Sequence, residues 1–463
     1  MKKFLALLFG ALLACCFMFA GCDQTEIGDE PIDGLDPNTE VKISFMHMWS
    51  EHSAAIQSII DGFEKKYPNI TVEISITPYD QIEQVLQAAF ISGKLPNVYI
   101  FYTHYMNPLV SASDGVMAGT LNNLHDEIVD SFIQPDAWEM GNINGNYYSV
   151  PFRATGELVF YNKTLFEEKG WEKPDTFEEF EQLMDEIYAD GDYIPLAAGG
   201  QDDQITYLIN AMSLFLSVLD GSVDEPGYQV GRLEPDEDIS DAVAVYEKVR
   251  DWYKQEYFGR GAIAVSSSGA IKQFTSRNAA MVFANVNNLG DITSIMPNDQ
   301  IDAFAIPAPE VISDEVKYVF GGYDGISYSP VASKDEMAAS LMLIRYLVSD
   351  EVQQILVDRT QSIIVNKNVE YHDATYAAFA EEYKYVGAYA TGIDYMTGDH
   401  SAGNNTIMSA YIAGTSGLTA AETIKLLNDN VYMDMQDTLI NDPPVDWYPR
   451  QNPKKDFDRS WLN

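Results

Sequence analysis

Between residues 41 and 102 the hydrophobic period of this chain switches four times, and no other feature restricts the fold as much. Val41, Ile43 and Phe45 alternate with other residues, which predicts a strand ending at Met48-Trp49. Ile56, Ile59, Ile60, Phe63 and Tyr67 then recur at helical spacing until Pro68-Asn69 stops the helix. Ile70, Val72, Ile74 and Ile76 alternate again, and Ile82, Val85, Leu86, Ala89 and Phe90 return to the helical period. Val98 to Tyr102 is a continuous apolar run, as expected of a parallel strand covered on both faces. Strand, helix, strand, helix, strand predicts a doubly wound α/β unit. In such a unit a ligand crevice lies beyond the carboxyl ends of the strands.

Ahead of this unit stands a leader. Lys2 and Lys3 precede an uninterrupted apolar run from Phe4 to Gly21, and Cys22 follows. A basic head, a short apolar core and small residues before a cysteine predict a secretory signal over 1–21, with an exported body behind it. The alternative is a membrane-spanning helix, for which eighteen residues are just long enough. All three cysteines (Cys15, Cys16 and Cys22) lie here, so the body has neither a disulfide nor a thiol nucleophile and must stand on its core. The formal charge of −42 becomes −44 when Lys2 and Lys3 leave with the leader, a field that repels nucleic acid and anionic head groups. Seven of the carboxylates fall in residues 23–40, which carry no Lys or Arg, predicting a disordered acidic tether. Asp29, Asp33, Gly34 and Glu40 loosely match a calcium loop, but Pro31 and Asp36 break the pattern.

Residues 145–183 (GNYYSVPFRATGELVFYNKTLFEEKGWEKPDTFEEFEQL) join three signals in a fixed order. These are a Pro-interrupted extended segment, a buried strand ending in Tyr161-Asn162-Lys163, and a capped helix after Pro174-Asp175-Thr176. The stretch resembles the interlobe crossing of family 1 extracellular solute-binding proteins, the receptors of carbohydrate importers driven by ATP hydrolysis. Thr164 with Glu167, Thr176 with Glu179, Ser333 with Glu336 and Thr419 with Glu422 stand at capping-box spacing. Phe274 to Asn285 is similar to the family's helix-to-strand element, and Ile301 to Pro309 to a second crossing back to the first lobe. The likeness covers roughly residues 41–440. It implies a two-lobed, periplasmic-binding-protein-like fold of class II, with doubly wound sheets, an interleaved chain and a hinge. The N-terminal lobe is then 41–153 plus 303–345 and the C-terminal lobe 156–302 plus 346–463. By the same likeness Cys22, after Phe19-Ala20-Gly21, is the lipidated first residue of the mature protein, held on the outer face of the cell membrane.

Signatures of catalysis are sparse. No Gly-x-Ser-x-Gly elbow, phosphate loop or Gly-x-Gly-x-x-Gly fingerprint occurs, and His47 and His52 stand five apart, which is not a zinc-helix spacing. No cofactor or metal is expected, and the chain reads as a binder rather than an enzyme. A carbohydrate-cleaving carboxylate pair is the rival reading, since 70 acidic residues place some pair at glycosidase distance by chance.

A sugar offers an apolar face of C–H bonds and a rim of hydroxyls, so its receptor needs a flat aromatic surface and polar groups for the rim. Candidates are residues at strand ends and crossings that match ligand-bearing positions of the resemblance. They are Trp49 after the first strand, Tyr79 and Asp80 after the second, and Tyr102 and His104 after the third. Arg153 and Thr155 stand in the crossing, where Arg153 either bonds a ligand or clamps the hinge to an acidic residue. Tyr207 opens a helix, and Tyr323 and Asp324 lie in a glycine-bracketed turn. Many relatives place Gly-x-Trp after the Ala-Met strand; here Asn285-Val286-Asn287 stands instead, so the stacking ring is missing. Asn285 and Asn287 can bond hydroxyls, and Trp252 is a candidate to supply the absent surface. The resemblance implies a monomer that delivers its guest to the transmembrane permease. A polyamine, polyol or peptide ligand is the alternative.

Overall fold

Strands Val41–His47 (β1), Ile70–Ile76 (β2) and Val98–Tyr102 (β3) run parallel in the order β2-β1-β3, with Val41 opposite Ile70 and Phe45 opposite Val98. The helices between them are Ser53–Lys66 (α1) and Ile82–Ile91 (α2). α1 buries Ile56, Ile59, Ile60 and Phe63, the stripe its sequence period predicts. The computed structural model describes residues 35–78, 81–102, 117–131, 138, 142–143, 145–201, 204–209, 212, 239–307, 317–360, 362–364, 366–382, 386–387 and 403–441. Cys22, the calcium-like loop up to Gly34, Tyr79, Asp80, His104 and the tail beyond 441 lie outside these residues.

The first crossing is a single long strand, Val150–Asn162 (β4), in which every residue is buried. Its alternation divides the interior. Leu158 and Phe160 join one hydrophobic cluster with Phe45, Phe63 and Leu343, whereas Val159 and Tyr161 join another with Phe180, Met184 and Met281. Helix Phe177–Asp190 (α3), strand Ile194–Ala197 (β5) and helices Ser240–Lys254 (α4) and Ser267–Thr275 (α5) follow. Strand Ala279–Asn285 (β6) pairs parallel with β5 and antiparallel with β4. Strand Ile301–Phe304 (β7) also pairs with β4, at its far end.

The return differs from the sequence expectation. Ala303 and Phe304 still face Phe160 and Val159 on the second half, so the predicted lobe boundary at 303 falls inside β7. The crossing itself is made by Lys317–Tyr328 (β8), which inserts antiparallel between β3 and β4. One sheet therefore runs through both halves in the order β2-β1-β3-β8-β4-β6-β5, parallel at each flank and antiparallel in the middle.

Helix Lys334–Leu347 (α6) packs on β1 and β8. The next helix, Asp350–Thr360 (α7), stays with the first half instead of passing to the second at 346. It lies on α1, and Arg359 Nη1 donates to Ser58 Oγ at 2.7 Å. Its buried face is formed by Val352, Gln353, Leu356 and Val357. Only after Thr360 does the chain pass back. Ala154 N–H donates to the carbonyl of Ile363 at 2.8 Å, so a third backbone segment runs beside β4. Helices Ala374–Glu382 (α8), Asn404–Ile412 (α9) and Ala420–Asn441 (α10) complete the second half, α8 against β7 and the other two against α4.

Two capping boxes form as spaced, at Thr176/Glu179 and Ser333/Glu336, and Thr419 and Glu422 bond reciprocally. The box expected at Thr164 does not form, because that helix starts at Lys163 and Thr164 is already in its first turn. Asn162 Oδ1 is the cap, accepting from Leu165 N–H at 3.0 Å, and Thr164 Oγ1 accepts from Gln300 N–H. Thr176→Ala removes the bond from Glu179 N–H to the cap hydroxyl, leaving the backbone half of the α3 box, and is expected to lower unfolding free energy by about 1 kcal/mol in urea titration. Thr164→Ala removes only one loop bond and should cost less than half of that.

Candidate functional site

Asp324 is the hub of the region where the two halves meet. It lies on β8 with its backbone between Tyr102 of β3 and Arg153 of β4, and it is fully buried. One carboxylate oxygen, Oδ2, accepts three donors: Arg153 Nε at 2.9 Å, Arg153 Nη2 at 2.8 Å and Trp49 Nε1 at 2.9 Å. The Arg153 guanidinium sits 4.6 Å from the centroid of the Trp49 ring, which also stacks on Phe152 at 5.4 Å and 11°. Two consecutive side chains reach the same ring because β4 carries an extra residue there. Arg153 faces Asp324 but Pro151 faces Gly325, leaving Phe152 in a bulge. Trp49 leaves β1 with its own N–H donating to His47 Nδ1 at 3.2 Å.

Down the same face of β4 the side chains of Arg153, Thr155 and Glu157 stand at alternate positions, all buried. Glu157 lies opposite Asn285, the last residue of β6. Asn285 Nδ2 donates to Thr155 Oγ1 and to Glu157 Oε1, both at 3.4 Å. Asn285 is half-buried, so this cluster meets solvent through it. Burial holds the Glu157 carboxyl at about 7, well above its ordinary range, against a weaker lowering from the Asn285 amide. Asn285 Oδ1 also accepts the N–H of Asn287, whose side chain is exposed.

The structure thus brings Trp49, Arg153 and Asp324 together as one hydrogen-bonded set, and Thr155 and Asn285 as a second beside it. Trp49 was expected to stand free of the core as a stacking surface; it is only 2% exposed and is committed to Asp324 and Phe152. Arg153 takes the clamp role of its two readings. Tyr323 corrects an expectation: strand alternation sends it to the face opposite Asp324, into the first cluster, where burial pushes its phenol up. Trp252 is likewise core, with its ring at 5.9–6.0 Å from Phe177 and Phe180 and Nε1 donating to Glu181. Tyr207 packs against the same second cluster. Tyr102 reaches the site through its backbone pairing with Asp324. Sequence reasoning missed Glu157 and Phe152. A polar residue at every second place of an otherwise apolar crossing was the signal for Glu157; a bulge leaves no such mark. Among the described residues no group of three or more His, Cys, Asp or Glu could hold a metal ion.

Two parallel-flanked halves are joined by three adjacent backbone passages, with a polar stripe where they meet, and this is the architecture of a binding protein. A family model described as bacterial extracellular solute-binding protein matches residues 58–384. The chain belongs to that family. It is 24% identical to the multiple sugar-binding protein of Streptococcus mutans over 368 residues, 78% of this chain and 82% of that one. Its fold matches RafE of Streptococcus pneumoniae in the apo form (TM-score 0.69, 21% identity, 86% of this chain and 99% of that one). It matches RafE in complex with raffinose at a TM-score of 0.65 (22% identity, 85% and 99%).

Removing one member of a buried ion pair leaves the other charge without compensation. Arg153→Met is therefore expected to lower the unfolding free energy by about 3–5 kcal/mol, measured by urea titration without ligand. Trp49→Phe keeps the stack on Phe152 and drops one bond to a charged group, so it should cost about 1.5–3 kcal/mol.

Proposed function

We propose that this protein captures a sugar or oligosaccharide between its two halves and delivers it to the permease of an importer driven by ATP hydrolysis. The observation that carries this reading is the polar pair Thr155 and Glu157 on β4, beside the Arg153 clamp and met by Asn285 at the end of β6. Neutral polar groups at a strand end suit the hydroxyl rim of a sugar. Each hydroxyl must find a partner, because a buried polar group left unbonded costs about 1–3 kcal/mol, and specificity follows from that penalty. The sugar-binding name of the Streptococcus mutans relative and the raffinose bound to RafE support the same class of guest. Binding proceeds by closure: three passages side by side restrict the halves to bending about them, and contacts from both sides favour the closed form.

The leader places the protein outside the cytoplasm, with Cys22 lipidated and residues 23–40 as its tether. The reading is of binding without turnover, so oligosaccharide incubated with the protein should be recovered uncleaved.

Thermal shifts with raffinose, maltotriose, diacetylchitobiose, spermidine and a phosphorylated polyol test the guest class. A sugar at a hundredfold excess over its Kd raises stability by about 2.7 kcal/mol, whereas the cation and the anion should leave the melting temperature unchanged. Stabilisation by spermidine alone would replace the sugar reading with a cation-binding one. Cys22→Ala should move the protein from the membrane to the soluble fraction on cell fractionation; retention in the membrane would contradict lipidation.

A further inference from the structure

Glu157 is a buried carboxyl that the fold itself does not explain. It is 8% exposed, stands on the crossing strand in register with Asn285, and has no cation paired with it among the described residues. Oε1 takes the Asn285 amide, and buried Oε2 has no hydrogen-bond partner among the described residues. Among the described side chains, the charged groups on the adjoining strands are already engaged. Arg153 on β4 and Asp324 on β8 bond each other, and Asp302 on β7 accepts from Tyr161 Oη at 3.1 Å and lies 3.9 Å from Lys163 Nζ. The neighbour on β6, Asn285, is uncharged. A carboxylate left in such a place loses its hydration with nothing in return, so the neutral acid is the form the site favours. The amide of Asn285 fixes which oxygen accepts. Oε1 is therefore the carbonyl oxygen, and Oε2 carries the proton.

Resting on the sugar reading given above, we propose that Glu157 is a specificity-determining hydrogen-bond donor: its Oε2–H donates to an oxygen of a neutral, hydroxyl-rich guest beside Thr155 and Asn285. The usual part of a carboxyl toward a sugar is that of an acceptor; here the chemistry is reversed. A guest that offers an oxygen lone pair at this point is held. One that offers an ammonium group needs the ionised form, and the ionised form is the one the site opposes.

The direction of the pH dependence follows. The donor is present while Glu157 is protonated and is lost as the pH rises through about 7. Affinity for a neutral sugar should be flat up to that point and should then fall, approaching tenfold per further pH unit. Folding stability without ligand has the same sign. The raised value contributes stability that is complete below the ordinary value of 4.5 and is lost as the pH climbs to about 7.

The test uses the full chain and whichever of raffinose, maltotriose and diacetylchitobiose gives the largest thermal shift. Calorimetric affinity is compared at pH 6 and pH 8 for wild type and Glu157→Gln, whose amide donates at both. The expected result is a fall of roughly tenfold for wild type and a flat response for the variant. Wild-type affinity that is flat or rises with pH overturns the proposal while leaving the sugar reading intact, as does an equal fall in Glu157→Gln. No binding of any of the three sugars overturns the sugar reading and this proposal together. If Glu157→Gln does not fold, the wild-type slope and its melting temperature between pH 4.5 and 7 still decide the question. A constant melting temperature there would show an ordinary, ionised carboxylate.

Discussion

The whole arrangement depends on one buried ion pair. Asp324 has no access to water, and both of its neighbours in the sheet are strands that the chain reaches by long detours. Three donors on a single oxygen, two from Arg153 and one from Trp49, make its burial tolerable. The same bonds fix geometry. They hold β8 against β4 at the bulge, and they tie the end of β1 to both. A hydrophobic replacement would match the volume and lose the register, since aliphatic side chains slide where charge-assisted bonds do not. Stability and the shape of the meeting point therefore come from the same few atoms.

Beside that rigid set lies a softer one. Thr155, Glu157 and Asn285 are linked by two bonds at the long end of the range, both from one amide. Long bonds from a half-buried side chain at a strand end are easily exchanged for bonds to a guest. The two sets differ in strength: the Arg153–Asp324 clamp keeps the crossings in place, and the amide bonds beside it are long. Both sets stand on alternate residues of one strand, so under the proposed function a guest at Thr155 and Glu157 would be read against the fixed frame of Arg153.

Much of this architecture was legible in the chain. The period switches of residues 41–102 and the boxes at Thr176 and Ser333 appear in the structure where local spacing put them, since both signals depend on neighbours a few residues apart. What local spacing could not reveal was the destination of segments that travel far. α7 was assigned to the second half, yet it closes the first because its partner α1 lies about 300 positions earlier, and no short-range pattern carries that information. Side-chain direction was lost for the same kind of reason. Tyr323 and Asp324 are adjacent and both looked like groove residues, but a strand sends neighbours to opposite faces, and only the pairing partner decides which face is which. Trp252 was a candidate for the missing stacking surface, but its place on α4 turns it into the core of the second cluster.

Inserting β8 between β3 and β4 has a consequence for the order of events when the polypeptide is made. The first half cannot complete its sheet, or bury Asp324, until residue 328 has been synthesised, and it lacks α7 until residue 360. Every earlier length of nascent chain has an open edge at β3. Pairings separated by so many residues form slowly, because a large loop must close before any contact rewards it. For a member of an extracellular family, such tardiness would suit export, because a chain that has not yet closed its sheet can still be threaded.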